Sequence, residues 1–225
     1  MAVFGGSIRS AGAVKVDKIG HYLKFTRSKV MRKKVFLSVL LSMVMVSSAS
    51  AQNFKKGSLD FLKGQDQVKL VFDFSSLTID GDSEEAYMKE RMADEKTPED
   101  AQKWKDEWKG AHRNLFENTF TQYCNDELKA FMVNKSYENA AYTIIVKIID
   151  IDPGNFAGPF SNPSKLRASF KMVKTGEENN VLAVLDLKKI FIRASAFNPV
   201  EYMRIEMGFG ELGKEFGKQI NKVLK

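Results

Sequence analysis

The chain has 225 residues and a formal net charge of +7, but its basic excess lies in residues 1–51, which carry nine basic side chains and one acidic side chain. Residues 52–225 carry 26 basic and 27 acidic side chains, so a nucleic-acid-binding function loses its main support and we expect no nucleic-acid partner. A single cysteine, Cys124, excludes an intrachain disulfide.

Residues 31–51 have the three parts of a cleaved signal peptide. Residues 32–34 form a basic region, residues 35–46 form an apolar run, and residues 49–51 form a small-residue cleavage box. The apolar run is shorter than the roughly 20 residues that a membrane-spanning helix needs. We therefore predict cleavage after Ala51 and a periplasmic or secreted mature protein, with an uncleaved membrane anchor as the alternative.

The region before the signal peptide has no signal character of its own. We interpret residues 1–30 as the product of an upstream start at Met1, with Met31 as the true initiator. The alternative is a long basic region that is removed with the rest of the leader. In both cases the leader is residues 1–51, and residues 52–225 form a single α+β domain without a transmembrane segment.

The first half of the mature chain predicts one strand and a long helical region. Residues 52–65 are interpreted as an N-terminal arm that docks late or stays mobile. Residues 68–74 alternate apolar and polar side chains, which predicts a strand. A short helix is predicted over 83–92. A second helix is predicted from Thr97, a capping residue followed by proline, to about residue 132, with a kink at Gly110.

The second half predicts three strands and a closing helix. Residues 142–151 are apolar enough for a central strand, and residues 165–174 and 181–192 are predicted to pair antiparallel. An amphipathic helix follows over 207–225, and its spaced glycines predict close packing on the sheet. The predicted fold is α+β, with a four-stranded, mainly antiparallel sheet and the helices of 97–133 and 207–224 packed on one face.

Residues 140–225 resemble a group of bacterial proteins. The segment YTIIVKIIDIDPGNFAG, a strand ending in MVKTGE and a helix with spaced glycines are similar to envelope domains of unknown function. Those domains have a β-α-β-β-β-α layout, and the leader ending in Ala-Gln resembles the leaders of Bacteroidota. The resemblance implies a periplasmic location and supplies no activity and no catalytic residues. This chain lacks the cysteine of the lipid-anchored members.

Two sets of residues are candidates for a binding site. Trp104, Trp108 and Phe116 share a helical face, which favours core packing on the sheet; the alternative, which makes them a candidate site, is an exposed aromatic patch for a partner or a sugar. Asp150, Asp152 and Asn155 form a weak candidate Ca²⁺ site, because oxygen ligands recur there at short spacing. The alternative is a strand end and a Pro-Gly turn in which these side chains bond the backbone.

The sequence contains no catalytic motif, so we expect a protein that is not an enzyme and has no cofactor. The expected function is a non-catalytic envelope component that interacts with another envelope protein or with itself. The alternative is a small-molecule or glycan-binding module that uses the aromatic residues of the long helix.

Overall fold

The computed structural model describes residues 54–225, and the predicted leader, its cleavage site and the two residues after it lie outside the described residues. Nine strands of the described part form one sheet. In chain order they are β1 (Phe54–Lys56), β2 (Gln67–Asp73), β3 (Thr78–Ile79), β4 (Asp82–Ser83), β5 (Met132–Asn134), β6 (Tyr142–Asp152), β7 (Ser164–Lys174), β8 (Val181–Asp186) and β9 (Ile190–Ile192).

The helices pack against this sheet and join its strands. The α-helices are α1 (Glu84–Ala93), α2 (Pro98–Glu107), α3 (Arg113–Glu127) and α4 (Glu201–Val223). One turn of π-helix, Trp108–His112, joins α2 to α3, and 3-10 turns lie at Asp60–Leu62 and Gly158–Phe160. Within residues 54–225, no helix has both the length and the hydrophobicity of a membrane span.

The α+β class is confirmed, but the prediction of a four-stranded, mainly antiparallel sheet is wrong. The main path of the sheet is β1-β8-β7-β6-β2-β5, and β2 pairs in parallel with both β5 and β6. The pairs β6–β7 and β7–β8 are antiparallel, as predicted for the second pair. Because α1 to α3 lie between β2 and β6, they carry the chain back to the starting end of the sheet and allow parallel pairing.

Four strands of two or three residues, β1, β3, β4 and β5, enlarge the sheet beyond the predicted strands. A strand this short is below the length at which alternation of apolar and polar residues can be recognised. One of them, β1, belongs to the predicted N-terminal arm. It pairs antiparallel with β8, and the side chains of Leu59 and Leu62 after it are fully buried. The described part of this segment is therefore docked on the sheet, and the interpretation that it stays mobile is wrong, while late docking stays a prediction.

The predicted strand over 181–192 is divided into β8 and β9. Both segments pair with β7, with Asp186 opposite Ser169 and Ile190 opposite Leu166. The β8–β9 side has one more residue than β7 between these pairs, which is the count of a β-bulge. The extra residue interrupts the strand between β8 and β9.

The long predicted helix begins as expected and is then interrupted. Thr97 caps α2, and its Oγ1 accepts a hydrogen bond from the Asp100 amide at 3.1 Å. The π turn includes Gly110, the position at which the sequence predicts a kink. Local capping chemistry and a glycine thus define the first part of this region.

The end of α3 is set by a residue from the other end of the chain. α3 ends at Glu127, although the prediction extended the helix to about residue 132. The Asn221 Nδ2 donates to the Glu127 carbonyl oxygen at 2.7 Å, and its Oδ1 accepts from the Lys129 amide at 3.1 Å. The Asn221 side chain of α4 therefore forms hydrogen bonds with backbone groups that would otherwise bond within a longer α3.

The helices α3 and α4 cover one face of the sheet. The ring of Phe170 in β7 lies 6.0 Å from the ring of Phe120 in α3 and 4.4 Å from the ring of Phe216 in α4, measured between centroids. The opposite face of β7 carries alternating polar residues such as Ser169 and Lys171. The core therefore lies between the sheet and this helix pair.

The glycines of α4 serve two contacts rather than the sheet alone. Gly208 faces the sheet, with the Leu166 side chain 3.8 Å from the position of a Cβ. Gly213 faces α3, and a Cβ there would lie 2.4 Å from the Phe120 carbonyl oxygen. The spacing of the glycines therefore also allows two helices to approach closely.

α4 begins at Glu201, six residues before the predicted start at Met207.

Candidate functional site

The three aromatic residues of the candidate exposed patch lie mostly inside the protein. Trp108 is 2% exposed and Phe116 is 1% exposed, while Trp104 is partly buried against the core. The two indoles stack with centroids 5.8 Å apart, and the Trp108 Nε1 donates to the Glu84 Oε1 at 2.9 Å. Because Glu84 belongs to α1, this arrangement ties α1 to the π turn after α2.

Trp104 is the member of the three that leaves part of its ring at the surface. The Arg91 guanidinium lies over that ring, 5.6 Å from its centroid, and Trp108 stacks on the same indole. A depression beside α2 contains neither indole in its lining, which consists of Glu99, Gln102, Lys103, Asp106, Glu107 and Ala111. The geometry therefore presents no open aromatic platform of the kind on which a sugar ring stacks.

The two carboxylates of the candidate Ca²⁺ site are each paired with a lysine. Asp152 forms an ion pair with Lys165, and Asp150 Oδ2 lies 3.4 Å from Lys189 Nζ. Partial burial raises the pKa of Asp152, but the hydrogen bonds from Lys165 and the Gly154 amide, together with the positive charges of Lys165 and Lys189, lower it overall. Each carboxylate therefore already has a lysine of the protein as its counter-ion.

The third member of that candidate set bonds the backbone. The Asn155 Oδ1 accepts from the Asn162 amide at 2.8 Å, and the two residues also exchange backbone hydrogen bonds. Within residues 54–225, no group of three or more His, Cys, Asp or Glu side chains is placed to hold a metal ion. The three residues thus act as a strand end and a closed loop, with no shared coordination centre.

The most unusual surface of the described chain is a set of exposed phenylalanines near one end of the sheet. Phe197 is 96% exposed, Phe160 is 81% exposed, Phe191 is 60% exposed and Phe156 is 38% exposed. We call these four residues the phenylalanine end. Single exposed apolar residues are ordinary, but exposed apolar groups in neighbouring segments mark interaction sites. This surface is therefore the candidate functional site.

Two segments next to the start of β7 carry these rings. Phe156 and Phe160 lie in the loop between β6 and β7, which the Asn155–Asn162 bridge closes. Phe191 lies in β9 opposite Lys165, and strand alternation directs its neighbour Ile192 inward and Phe191 outward. Phe197 follows in the connection to α4. Sheet pairing therefore brings the two segments side by side.

A buried arginine of α4 holds both segments. Arg204 is 4% exposed and donates only to backbone carbonyl oxygens. The acceptors are Pro153 at 2.9 Å and Gly154 at 3.2 Å in one segment, and Asn198 at 3.2 Å and Pro199 at 2.6 Å in the other. Burial lowers the pKa of Arg204, but a guanidinium remains protonated in proteins. One side chain thus joins the loops that carry Phe156, Phe160 and Phe197.

The loop tips are further defined by Asn198 and Gly154. The buried Asn198 accepts from the Ser195 amide at 2.6 Å and donates to the Arg193 carbonyl oxygen at 3.1 Å, which closes the turn that carries Phe197. Gly154 has a φ of +62°, and a Cβ there would lie 2.5 Å from the Asn162 carbonyl oxygen. Only glycine fits this crossing of the two chain segments.

The exposure of the rings in the loop between β6 and β7 was not predicted from the sequence. The available signal was the placement of Phe156 and Phe160 among Gly, Pro and Asn residues, where no strand or helix can bury them. Phe197 gives a similar signal, because Asn198 and Pro199 follow it directly. Apolar residues in turn-forming sequence are therefore the pattern that could have identified this surface.

No family model matches the chain, and no curated protein matches it significantly. Among solved structures, a Xanthomonas campestris protein of the DUF330 family is similar with 12% identity and a TM-score of 0.33, over 48% of this chain and 62% of that chain. The PelC dodecamer from Paraburkholderia phytofirmans is similar with 8% identity and a TM-score of 0.32, over 65% of this chain and 87% of that chain. A single-residue variant of that PelC gives 12% identity and a TM-score of 0.32, over 72% and 96%.

The match to the Xanthomonas protein spans less than two thirds of that protein's length. TM-scores near 0.3 do not establish a common function, so the function must be argued from the surface of this chain.

Proposed function

We propose that this protein is exported by its leader and works as a non-catalytic binding component of the bacterial cell envelope, attached to another envelope component through the phenylalanine end. The observation that carries this proposal is the exposure of Phe160 and Phe197, at the tips of two adjoining segments. Full burial of such a side chain is more favourable than its exposure to water by roughly 1.5 to 3 kcal/mol. A binding partner that removes them from water gains that free energy.

The packing of the two most reactive side-chain types supports a non-catalytic role. Cys124 is fully buried, and burial raises the pKa of its thiol, which disfavours the nucleophilic thiolate. The ring of His112 stacks on Tyr202 with centroids 4.7 Å apart and meets the edge of Trp108. His112 thus packs as part of an aromatic stack.

Cell fractionation tests the proposed function without knowledge of the partner. The protein and a double variant, Phe160→Ser with Phe197→Ser, are exported from a bacterial host, and soluble periplasmic fluid is separated from the membrane and wall fraction. We expect the original protein in the envelope fraction and the double variant in the soluble fraction. The matched control is Val223→Ser, which removes an exposed apolar side chain at the end of α4, away from both loops.

Equal distribution of the original protein and the double variant would contradict the role of the phenylalanine end. Recovery of the original protein in the soluble fraction would contradict attachment to the envelope. The unfolding midpoint in urea is measured for each variant, and we expect no change because the replaced rings are exposed.

A further inference from the structure

We propose that the component to which the phenylalanine end attaches is an anionic lipid surface, so that the four rings enter the headgroup region of a bilayer. This inference rests on the proposed function and names the partner of the same surface. Three observations carry it: the charge of the two segments, the separate placement of their rings, and the rigid backing of both loops.

Taken together, the two segments have a net positive charge and contain no acidic residue. Residues 153–163 have no charged side chain, and residues 188–200 contain Lys188, Lys189 and Arg193 without any Asp or Glu. Lys188 and Arg193 are exposed, while the Lys189 Nζ lies 3.4 Å from the Asp150 Oδ2. The described chain outside these segments has an acidic excess, so the positive charge of residues 188–193 contrasts with the net charge of the rest of the described chain. Lipid phosphates are the complementary groups.

The rings stand on separate loop tips. Phe160 lies in a 3-10 turn of the β6–β7 connection, Phe197 lies in the turn closed by Asn198, and both are almost fully exposed. A protein partner would need a separate pocket for each ring at a fixed spacing. A lipid interface is fluid and accommodates any arrangement of protruding apolar side chains, and its affinity grows with the apolar area inserted.

The loops are held in place before any partner arrives. Arg204 binds four carbonyl oxygens across the two segments, and the β9–β7 pairing fixes Phe191 beside them. The rings therefore cannot fold back into the core, and their ordering costs little on binding. A preorganised set of exposed rings flanked by cations has the two contributions, apolar area and electrostatic attraction, that hold a peripheral protein on an anionic membrane.

Vesicle co-flotation tests the lipid partner directly. The protein, in the form recovered from the exporting host, is mixed with vesicles of phosphatidylethanolamine and phosphatidylglycerol, or of phosphatidylcholine alone. We expect flotation with the anionic vesicles and weaker flotation with phosphatidylcholine. Replacing Phe160 and Phe197 by Ser should lower the partition coefficient about tenfold or more. The variants Lys188→Gln and Arg193→Gln should each lower it about fivefold on anionic vesicles.

Matched controls separate this surface from other causes of binding. All variants keep the same N-terminus, so any contribution of the leader is equal in each, and Val223→Ser should float like the original protein. Added salt should weaken binding of the original protein to anionic vesicles and leave the remaining binding of the doubly neutralised variant, Lys188→Gln with Arg193→Gln, nearly unchanged.

The failure of this inference differs from the failure of the proposed function. If the original protein does not float, or floats equally well with both rings replaced, the lipid partner is refuted. If the double phenylalanine variant is then still lost from the envelope fraction of the same cells, the proposed function stands, and its partner is a protein. Sedimentation equilibrium identifies a second copy as that partner if the purified protein is an oligomer that the double variant dissociates.

Discussion

At the scale of single residues, Arg204 connects α4 to the two loops of the candidate surface. It is buried and donates to four carbonyl oxygens in two segments that are far apart in the sequence. The planar guanidinium, with several N–H donors in a fixed fork, can reach all four acceptors at once. A lysine ammonium presents its donors from a single point and cannot span them.

Replacement of Arg204 by Lys should lower the free energy of unfolding by about 2 to 3 kcal/mol, because buried carbonyl oxygens lose charged hydrogen bonds. Urea unfolding measures this change. Arg193→Lys is the matched control, since Arg193 is exposed, and it should stay within about 0.5 kcal/mol of the original protein. Equal effects of the two substitutions would show that the carbonyl cluster contributes nothing to stability.

The ion pair of Asp152 predicts a pH dependence of stability. Its pKa is lowered in the folded protein, because hydrogen bonds from Lys165 and the Gly154 amide outweigh the opposing effect of burial. A carboxylate with a lowered folded pKa stabilises the fold above its unfolded pKa, near 3.9, and this stabilisation is lost as the pH falls through the folded pKa.

Asp152→Asn should therefore be less stable than the original protein at neutral pH, and the difference should shrink as the pH falls from about 5 to about 2. Urea unfolding at a series of pH values measures the difference. Glu178→Gln removes an exposed hairpin carboxylate and provides a comparison at each pH. A difference for Asp152→Asn that remains constant down to the lowest pH would contradict the lowered pKa.

The unequal exposure of the two tryptophans predicts their response to a quencher. Iodide reaches only indoles at the surface, and Trp104 is partly exposed whereas Trp108 is buried. The variant Trp104→Phe should lose most of the quenchable fluorescence, and Trp108→Phe should retain it. Stern–Volmer titration with iodide measures both. Strong quenching that survives in Trp104→Phe would contradict the burial of Trp108.

At the scale of elements, the α3–α4 pair depends on glycines that allow the helices to approach. A Cβ on Gly213 would lie 2.4 Å from a backbone oxygen of α3, and a Cβ on Gly217 would lie 2.9 Å from the Glu127 Cβ. Backbone atoms cannot move aside as a flexible side chain can, so a methyl group at Gly213 must separate the helices. The same pair positions the start of α4, from which Arg204 reaches the two loops.

Gly213→Ala should lower the free energy of unfolding by about 1 to 3 kcal/mol, the usual effect of an overpacked core. Gly110→Ala is the matched control, because a Cβ at Gly110 meets no atom within 4 Å. It should leave the protein unchanged or stabilise it by up to about 1 kcal/mol through helix propensity. Thermal unfolding compares the two, and equal stability would refute the close contact.

At the scale of the whole molecule, the charge of the chain divides at the predicted cleavage site. The leader carries nine basic side chains and one acidic side chain, and the remainder is nearly neutral. A positive whole-chain charge would suggest binding to any polyanion, whereas residues 52–225 have no basic excess. If the leader is cleaved as predicted, the net positive charge of the whole chain is removed with it.

Export from a bacterial host should yield a protein whose first residue is Gln52, because the small-residue box ends at Ala51. Intact mass and N-terminal sequencing measure this. Replacing Ala49 and Ala51 by bulky Leu should block cleavage and leave a larger product on the membrane. Recovery of a product that retains residues 31–51 in the unmodified protein would support the alternative of an uncleaved anchor.

The sequence alone determined the features that depend on neighbouring residues. Alternation located the strands at residues 68–74 and 165–174, an apolar run located the strand at 142–151, and the cap at Thr97 located the start of α2. These predictions hold because side-chain period and capping chemistry act within a few residues. The leader prediction likewise comes from local composition alone.

Only the tertiary structure decided which strands pair, where α3 ends and which aromatic rings are buried. The parallel pairing of β2 with β6, the hydrogen bonds of Asn221 to the end of α3 and the hydrogen bonds of Arg204 to Pro153 and Gly154 join residues 50 or more positions apart. Trp108 is buried and Phe197 is exposed although both are large aromatic residues, because distant segments cover the first and leave the second uncovered. Periodicity carries no information on contacts at such separations, and the candidate surface depends on them.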